Sequence, residues 1–230
     1  MKELYVFCEG PTEQGFCQQV LNPHLFPKSD GWIHTIKIAH SKSHGEFYRG
    51  GIGKYASLQR DIRNTLKSRS ETQIAFTSMI DLYGLPKDFP GKSDHEYDPD
   101  NPTPYVVALE DAFRSDIGDH RFIPYLQLHE YETMLFADLE GFRFSFENCD
   151  AEIQSLQKMI DSFPTLEHIN QGQSTAPSKR IIDLIPAYRG KKTSAGPDIA
   201  EYIGIDQIRA QSPHFDQWIT CLENILWQET

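Results

Sequence analysis

Acidic residues stand directly after three of the four apolar segments that the sequence predicts to be β-strands. They are Glu9 after the first segment, Asp81 after the third, and Glu130 and Glu132, together with His129, after the fourth. The carboxyl ends of parallel strands meet along one edge of a sheet, so neighbouring strands would bring these acids together. Carboxylates at such short range repel one another unless a cation or raised pKa values relieve the repulsion.

Oxygen ligands of this kind indicate a particular class of chemistry. Hard carboxylate oxygens favour Mg²⁺ or Mn²⁺ over zinc. A magnesium ion held by a few carboxylates usually also grips a phosphate, and phosphodiester chemistry is the natural reaction class. The spacing therefore predicts a metal site built from Glu9, Asp81, Glu130 and Glu132.

A structural interpretation of the same acids stays open. Asp and Glu are common at strand ends and in the first turn of helices, where they interact favourably with the helix dipole. Glu13 lies in the first turn of a predicted helix and would be explained by that role alone. For Glu9 and Asp81 together, each following a strongly apolar strand, the pattern favours a functional role.

The elements that must position these acids alternate along the first part of the chain. Short apolar runs with β-branched and aromatic residues predict strands, and a spacing of three to four predicts helices. The predicted strands are 4–8, 33–39, 73–80 and 121–128, and the predicted helices are 12–21, 55–68, 105–115 and a short amphipathic helix at 129–139. The segment 84–104 is dense in Gly, Pro, Asp and Asn, which predicts a long loop of the kind that is often functional or mobile.

Alternating strands and helices predict an α/β fold, with a largely parallel, Rossmann-like sheet flanked by helices. We expect residues 1–140 to form this core and residues 141–230 to form a mostly helical extension packed on it. Helices are predicted at 151–163, 179–186 and 215–227, and the segment YRGKKTSAGPD at 188–198 is expected to be rich in turns.

Composition excludes several classes of protein. A net charge of −11 argues against coating nucleic acid through general electrostatics, although a local basic groove stays compatible with it. No apolar run is long enough to cross a bilayer, and the start MKELYVF lacks the features of a signal peptide. The four cysteines form no CxxC pair, which is typical of a reducing cytoplasm, so we expect a cytoplasmic protein without membrane contact.

Several other residues are candidates for chemistry. His129 is a candidate general base or proton donor, because its unperturbed pKa lies near neutrality, although such a residue more often hydrogen-bonds within a loop. HEYE lacks the second histidine of a zinc-protease HExxH motif, and GGIGK at 50–54 lacks the Ser or Thr of a phosphate loop. The main basic cluster, which either binds a phosphate backbone or is a solvated surface, comprises Lys179, Arg180, Arg189, Lys191 and Lys192.

Four motifs in order along the chain carry a family resemblance. They are EGPTE at 9–13, DLYGLPKDFPG at 81–91, HEYETMLFADL at 129–139 and PSKRI at 177–181. The first resembles the EGxTE opening motif of the Toprim domain in overcoming-lysogenization-defect (OLD) nucleases. The ordered set is similar to a bacterial family of Toprim-like proteins of unknown function, and it spans almost the full length of the chain.

The resemblance implies a Toprim-like fold and a Mg²⁺-dependent nuclease, or a related phosphodiester-processing enzyme, of a bacterial defence or mobile-element system. It implies that Glu9 and Asp81 hold the cation, or that Glu9 acts as an acid–base group. Toprim domains usually carry a DxD motif, whereas this chain has Tyr83 at the second position, which removes one carboxylate. Glu130 or Glu132 would supply the missing ligand, Glu13 would support the site, and Lys179 or Arg180 would steady the developing charge.

A second class of function stays open beside the enzyme. A catalytically degenerate Toprim-like module would bind a nucleotide, nucleic acid or a partner ATPase without cutting anything. Tyr83 and the acidic composition favour this alternative. The sequence carries no ATPase motif, so any dependence on ATP would come from another chain.

Overall fold

The computed structural model describes residues 2–38, 52–69, 74–169 and 175–227. Its centre is a sheet of five strands in which every strand pairing is parallel. The strands are β1 (Lys2–Cys8), β2 (Gly31–Lys37), β3 (Ile74–Asp81), β4 (Phe122–Ile123) and β5 (Leu126–Gln127). They follow the order β2-β1-β3-β4, and β5 also pairs with β3. The prediction of a parallel, Rossmann-like α/β sheet is confirmed.

Continuous apolar runs place β1 and β3 at the middle of this sheet. Strands covered by helices on both faces read as unbroken hydrophobic segments. Leu4 and Val6 of β1 face one buried cluster, whereas Tyr5 and Phe7 face another on the opposite side. Glu9, which follows β1, and Asp81, the last residue of β3, therefore lie at the carboxyl edge of the two most buried strands.

The fourth predicted strand is divided into β4 and β5 by Pro124. Proline lacks the backbone N–H that a ladder needs, so pairing stops there. The side chain of Ser78 bridges the gap, because its Oγ accepts a hydrogen bond from the N–H of Tyr125 and donates one to its carbonyl, each at 3.0 Å. Pairing resumes where Leu126 lies opposite Ile80, and Gln127 then lies opposite Asp81.

The helices cover both faces of the sheet. They are α1 (Pro11–Phe16), α2 (Asn22–Leu25), α3 (Tyr55–Ser68), α4 (Thr103–Ile117), α5 (Glu140–Ser145), α6 (Asp150–Ile160), α7 (Pro177–Leu184), α8 (Tyr188–Ile203), α9 (Ile205–Gln211) and α10 (Pro213–Trp227). A π-helical stretch, Cys17–Leu21, joins α1 to α2 in place of the single predicted helix. The predicted loop at 84–104 is confirmed apart from its ends: Gly84 belongs to a 3₁₀ turn, and Thr103 and Pro104 begin the helix α4.

Two local predictions are wrong. The segment 188–198 lies in the helix α8 rather than in turns, and Pro197 is inside that helix. Residues 129–139 contain a 3₁₀ segment, Tyr131–Ala137, in which all the residues are buried, so the amphipathic helix is wrong as well. In both places packing against the core decides the structure, because local propensity is a weak preference that tertiary contacts override.

The last third of the chain contributes to the same core as the sheet. One buried cluster joins Leu4 and Val6 of β1 to Ile199 of α8 and Ile219 of α10. The division into residues 1–140 and 141–230 stays a prediction. Within the residues that the structure describes, no helix combines the length and the apolar character that a bilayer crossing requires. Most of the Gly-rich segment 44–55, and part of 169–180, lie outside the described residues.

Candidate functional site

Glu9 and Asp81 lie side by side at the carboxyl edge of the sheet. The backbone N–H of Asp81 donates a hydrogen bond to Oε2 of Glu9 at 3.2 Å, and the N–H of Glu9 donates to the carbonyl of Met79 at 3.3 Å. Because β1 and β3 are adjacent and parallel, with Cys8 opposite Met79, Glu9 and Asp81 lie at the same edge of the sheet. The structure therefore brings these two predicted site residues together.

Gly84 packs directly against the carboxylate of Glu9. A Cβ atom added at Gly84 would lie 2.3 Å from Oε2 and 2.7 Å from Oε1 of Glu9, closer than any unbonded carbon can approach. The 3₁₀ turn Leu82–Gly84 thus confines the Glu9 side chain, and only glycine allows this approach. The N–H of Tyr83, in the same turn, donates to the carbonyl of His129 at 3.3 Å.

Glu13 is buried at the beginning of α1. Its Oε2 accepts a hydrogen bond from the N–H of Gly10 at 2.7 Å, which is the local helix-start role that the sequence allowed. Burial raises the pKa of the Glu13 carboxyl; backbone hydrogen bonds oppose the shift and the negative charge of Glu132 adds to it. Glu13 is therefore both a structural acid and part of the electrostatic environment of the strand ends.

Glu132 is fully buried and is held through one oxygen. Its Oε1 accepts hydrogen bonds from the hydroxyl of Tyr188 at 3.1 Å and from Nζ of Lys192 at 2.9 Å. Its Oε2 is shielded from solvent and has no hydrogen-bond partner. Burial raises the pKa of Glu132, although the charge of Lys192 opposes the shift.

Burial and neighbouring negative charges both disfavour the ionised form of the Asp81 carboxyl. The residue is partly exposed, but its Oδ1 is shielded from solvent and has no hydrogen-bond partner. Burial holds the pKa of the Asp81 carboxyl well above its usual range, and the charges of Glu9, Glu13 and Glu132 raise it further. Charge from Lys192 acts in the opposite direction. We call Glu9, Glu13, Asp81 and Glu132 the acidic cluster.

Glu130 and the motif PSKRI meet at the start of α7. Oε2 of Glu130 accepts a hydrogen bond from the N–H of Ser178 at 3.0 Å. Lys179 is exposed, whereas Arg180 donates from Nε to the carbonyl of Thr175 at 2.7 Å and lies over a phenyl ring. Glu130 thus has a structural task at a helix N-terminus. The predicted roles of Glu130, Lys179 and Arg180 in metal binding or catalysis stay predictions.

His129 is buried and adopts a left-handed backbone conformation with φ of 66°. Its Nε2 lies 2.8 Å from the carbonyl oxygen of Glu167, and its ring lies 5.8 Å from that of Tyr83. Burial lowers the pKa of His129, which favours the neutral imidazole near pH 7. A role in proton transfer stays a prediction.

The sequence assigned Lys192 only to a general basic cluster, whereas the structure places its side chain against Glu132. Tyr188, four positions before Lys192, contacts the same oxygen of Glu132. The four-residue spacing of Tyr188 and Lys192 could have indicated that they contact the same group, because residues four apart lie on the same face of a helix. It was missed because the segment was expected to form turns.

The acidic cluster is not arranged around a metal ion in this conformation. Among the described residues, no three His, Cys, Asp or Glu side chains are placed so that together they could hold one. The chemistry of the donors nevertheless fits a hard divalent cation, because Asp81 and Glu132 each present a shielded carboxylate oxygen without a partner. Binding would require these side chains to turn towards a common point.

The fold and the cluster together define a Rossmann-like α/β protein with an acidic site at the carboxyl edge of its sheet. The chain belongs to the family described as a domain of unknown function (DUF4276), whose model matches residues 8–223. No curated protein and no solved structure matches the sequence. The relation to the Toprim domain of OLD nucleases stays a prediction.

Proposed function

We propose that this protein is a Mg²⁺-dependent or Mn²⁺-dependent enzyme that processes phosphodiesters, with a Toprim-like active site at the carboxyl edge of the sheet. The observation that carries the proposal is the contact between Asp81 and Glu9 beside the unpartnered oxygens of Asp81 and Glu132. An acidic cluster of this kind has a reason to exist when a cation is part of the site, because uncompensated burial of carboxylates is costly.

Each residue has a distinct task in this proposal. Glu9 and Asp81 would provide oxygens from two neighbouring strands, and Glu132 would provide a third from the segment after β5. A bound divalent ion supplies Lewis-acid activation of the phosphate and of the attacking water. Gly84 would keep the Glu9 carboxylate in place, and Glu13 would add negative charge while holding the start of α1.

A nuclease assay with a matched pair of variants tests the proposal. Purified protein is incubated with Mg²⁺ or Mn²⁺ on plasmid, single-stranded DNA and RNA. Glu9→Gln keeps a side-chain oxygen for the Asp81 N–H but removes the charge, and Glu3→Gln makes the same change at the other end of β1. We expect Glu9→Gln to lose activity about a hundredfold or more while Glu3→Gln retains it. Equal cleavage by wild type and Glu9→Gln would refute the assigned role.

A degenerate binding module is the second candidate. Tyr83 stands where Toprim domains usually carry an acid, and the ammonium of Lys192 already neutralises part of the cluster. Such a module would bind a nucleotide, nucleic acid or a partner ATPase without hydrolysis. Calorimetry with nucleotides, with and without Mg²⁺, distinguishes the two: tight binding without cleavage of any of the three nucleic acids favours the module.

A further inference from the structure

Lys192 contacts the acidic cluster from a helix that is remote in sequence. Its Nζ lies 2.9 Å from Oε1 of Glu132, 60 positions earlier in the chain. Tyr188, one turn earlier on α8, donates to the same oxygen at 3.1 Å. Both groups therefore approach one side of the Glu132 carboxylate and leave Oε2 without a partner.

The charge of Lys192 acts on more than one acid. Burial disfavours its ammonium, but the neighbouring carboxylates, Glu132 foremost and then Asp81 and Glu130, hold the pKa of Lys192 above its usual range. Conversely, the Lys192 charge opposes the upward shifts at Glu13, Asp81 and Glu132. The Lys192 ammonium thus stabilises the charged forms of three acids at the same time.

A single positive charge does not neutralise all the carboxyl groups of the acidic cluster. Glu9, Glu13, Asp81 and Glu132 are four carboxyl groups, and two of their oxygens stay shielded and unpaired. The Lys192 side chain is also in contact with solvent, since 36% of it is exposed. Separating its ammonium from Glu132 therefore costs less desolvation than separating a fully enclosed ion pair.

We propose that Lys192 is an internal counter-ion, which pairs with Glu132 in the metal-free protein and is displaced when a divalent cation binds the acidic cluster. The inference rests on the proposed function, because it assigns the regulation of that same site. It accounts for the contact of the Lys192 ammonium with Oε1 of the fully buried Glu132. Lys192 is a positioning residue in this role, and its effect is on cation affinity.

Calorimetric titration with Mn²⁺ alone tests the displacement. Lys192→Met keeps the apolar stem and removes the competing charge, so we expect Mn²⁺ to bind about tenfold more tightly than to wild type. Lys191→Met is the matched control, because it removes the same charge from the same helix at a side chain that lies over the ring of Phe146 instead. Its affinity should stay within about twofold of wild type.

A second measurement on the wild type covers the case in which Lys192→Met does not fold. Lysines are acetylated briefly with and without Mn²⁺, and the modification of each is measured by mass spectrometry. An amine held against a carboxylate reacts slowly, so Mn²⁺ should increase the labelling of Lys192 several-fold and leave Lys191 unchanged.

The outcomes separate this inference from the proposed function. If wild type binds Mn²⁺ but neither Lys192→Met nor the labelling of Lys192 differs as described, the counter-ion role is overturned and the metal site stands. If only Lys192→Met binds Mn²⁺, the counter-ion role is supported and a metal-dependent activity of the wild type is not. If neither protein binds Mn²⁺ and labelling is unchanged, both are overturned.

Discussion

The backbone N–H of Asp81 donates a hydrogen bond to the carboxylate of Glu9 at 3.2 Å, across 72 positions of sequence. This contact exists because β1 and β3 are neighbours in a parallel sheet and end at the same edge. It brings together the two acids that the sequence marked as most informative. The contact is made by the backbone of Asp81, so its carboxylate stays available for another partner, and Oδ1 has none.

The raised pKa of Asp81 predicts that the stability of the metal-free protein depends on pH. In the unfolded chain the carboxyl titrates near pH 4, whereas the folded protein binds the proton more tightly. The contribution of Asp81 to stability is therefore fully present below its unfolded pKa and is lost as pH rises through the folded-state pKa. Asp81→Asn removes this loss, so the variant should be more stable than wild type near pH 8 by about 0.5–2 kcal/mol.

Urea denaturation between about pH 5 and pH 8 in the presence of a chelator measures this effect. Asp111→Asn is the control, because Asp111 is exposed on α4 and pairs with Arg114. Glu13 and Glu132 also have raised pKa values, so part of the slope should persist in Asp81→Asn. An identical pH dependence for wild type and Asp81→Asn would show that the pKa of the Asp81 carboxyl is not raised in the folded protein.

We predict opposite effects on stability for two glycine-to-alanine substitutions, one at Gly84 and one at Gly190. Gly84→Ala drives a Cβ into the Glu9 carboxylate, and we expect it to cost about 1–3 kcal/mol. Gly190→Ala, in the helix α8, meets nothing within 4 Å and should stabilise by about 0.5–1 kcal/mol. Chemical denaturation of both variants checks the signs. A neutral Gly84→Ala would mean that the Leu82–Gly84 turn does not confine Glu9.

The ion pair of Glu132 with Lys192 predicts a graded loss of stability. Glu132→Ala leaves the ammonium and the Tyr188 hydroxyl without their acceptor, and it should cost about 2–3 kcal/mol after allowance for the partial exposure of Lys192. Glu132→Gln keeps an oxygen for Tyr188 and should cost about 1 kcal/mol. Equal stability of the two variants in denaturant titrations would contradict the contact.

Much of the fold follows from the sequence for a simple reason. The runs LYVFC and QIAFTSMI are continuous and apolar, and such runs suit strands that helices cover on both faces. Helix α3 coincides with the predicted segment, because Leu58, Ile62 and Leu66 mark one buried face. Once β1 and β3 are known to be parallel neighbours, the meeting of Glu9 with Asp81 follows from their position after the strands.

The part of the site that the helix α8 contributes could not be predicted from local sequence. The segment YRGKKTSAGPD contains two glycines and a proline, which are typical of turns, yet it forms part of α8. Close packing explains this: a Cβ added at Gly15 of α1 would lie 2.6 Å from Cγ of Pro197, so the small residue admits the proline ring. Tertiary contact stabilises the helix and thereby places Lys192, and the four-residue spacing of Tyr188 and Lys192 becomes informative only once the segment is known to be helical.

The two glutamates of the HEYE motif illustrate a second limit. Both were predicted as metal ligands, but Glu130 accepts a hydrogen bond at the start of α7 whereas Glu132 is buried against α8. Glu132 lies in the segment Tyr131–Ala137, which is 3₁₀ rather than α-helical. The directions of its side chains therefore do not follow the helical period of 3.6 residues. The sequence alone therefore could not separate their roles.

The most direct test of the metal site is the anomalous difference density of a crystal soaked in Mn²⁺. We expect one peak at the carboxyl edge of the sheet, within about 2.0–2.4 Å of oxygens from Glu9 and Asp81, with Glu132 turned towards it and Lys192 withdrawn. Density at another place, or no density beside these strand ends at saturating Mn²⁺, would contradict this expectation.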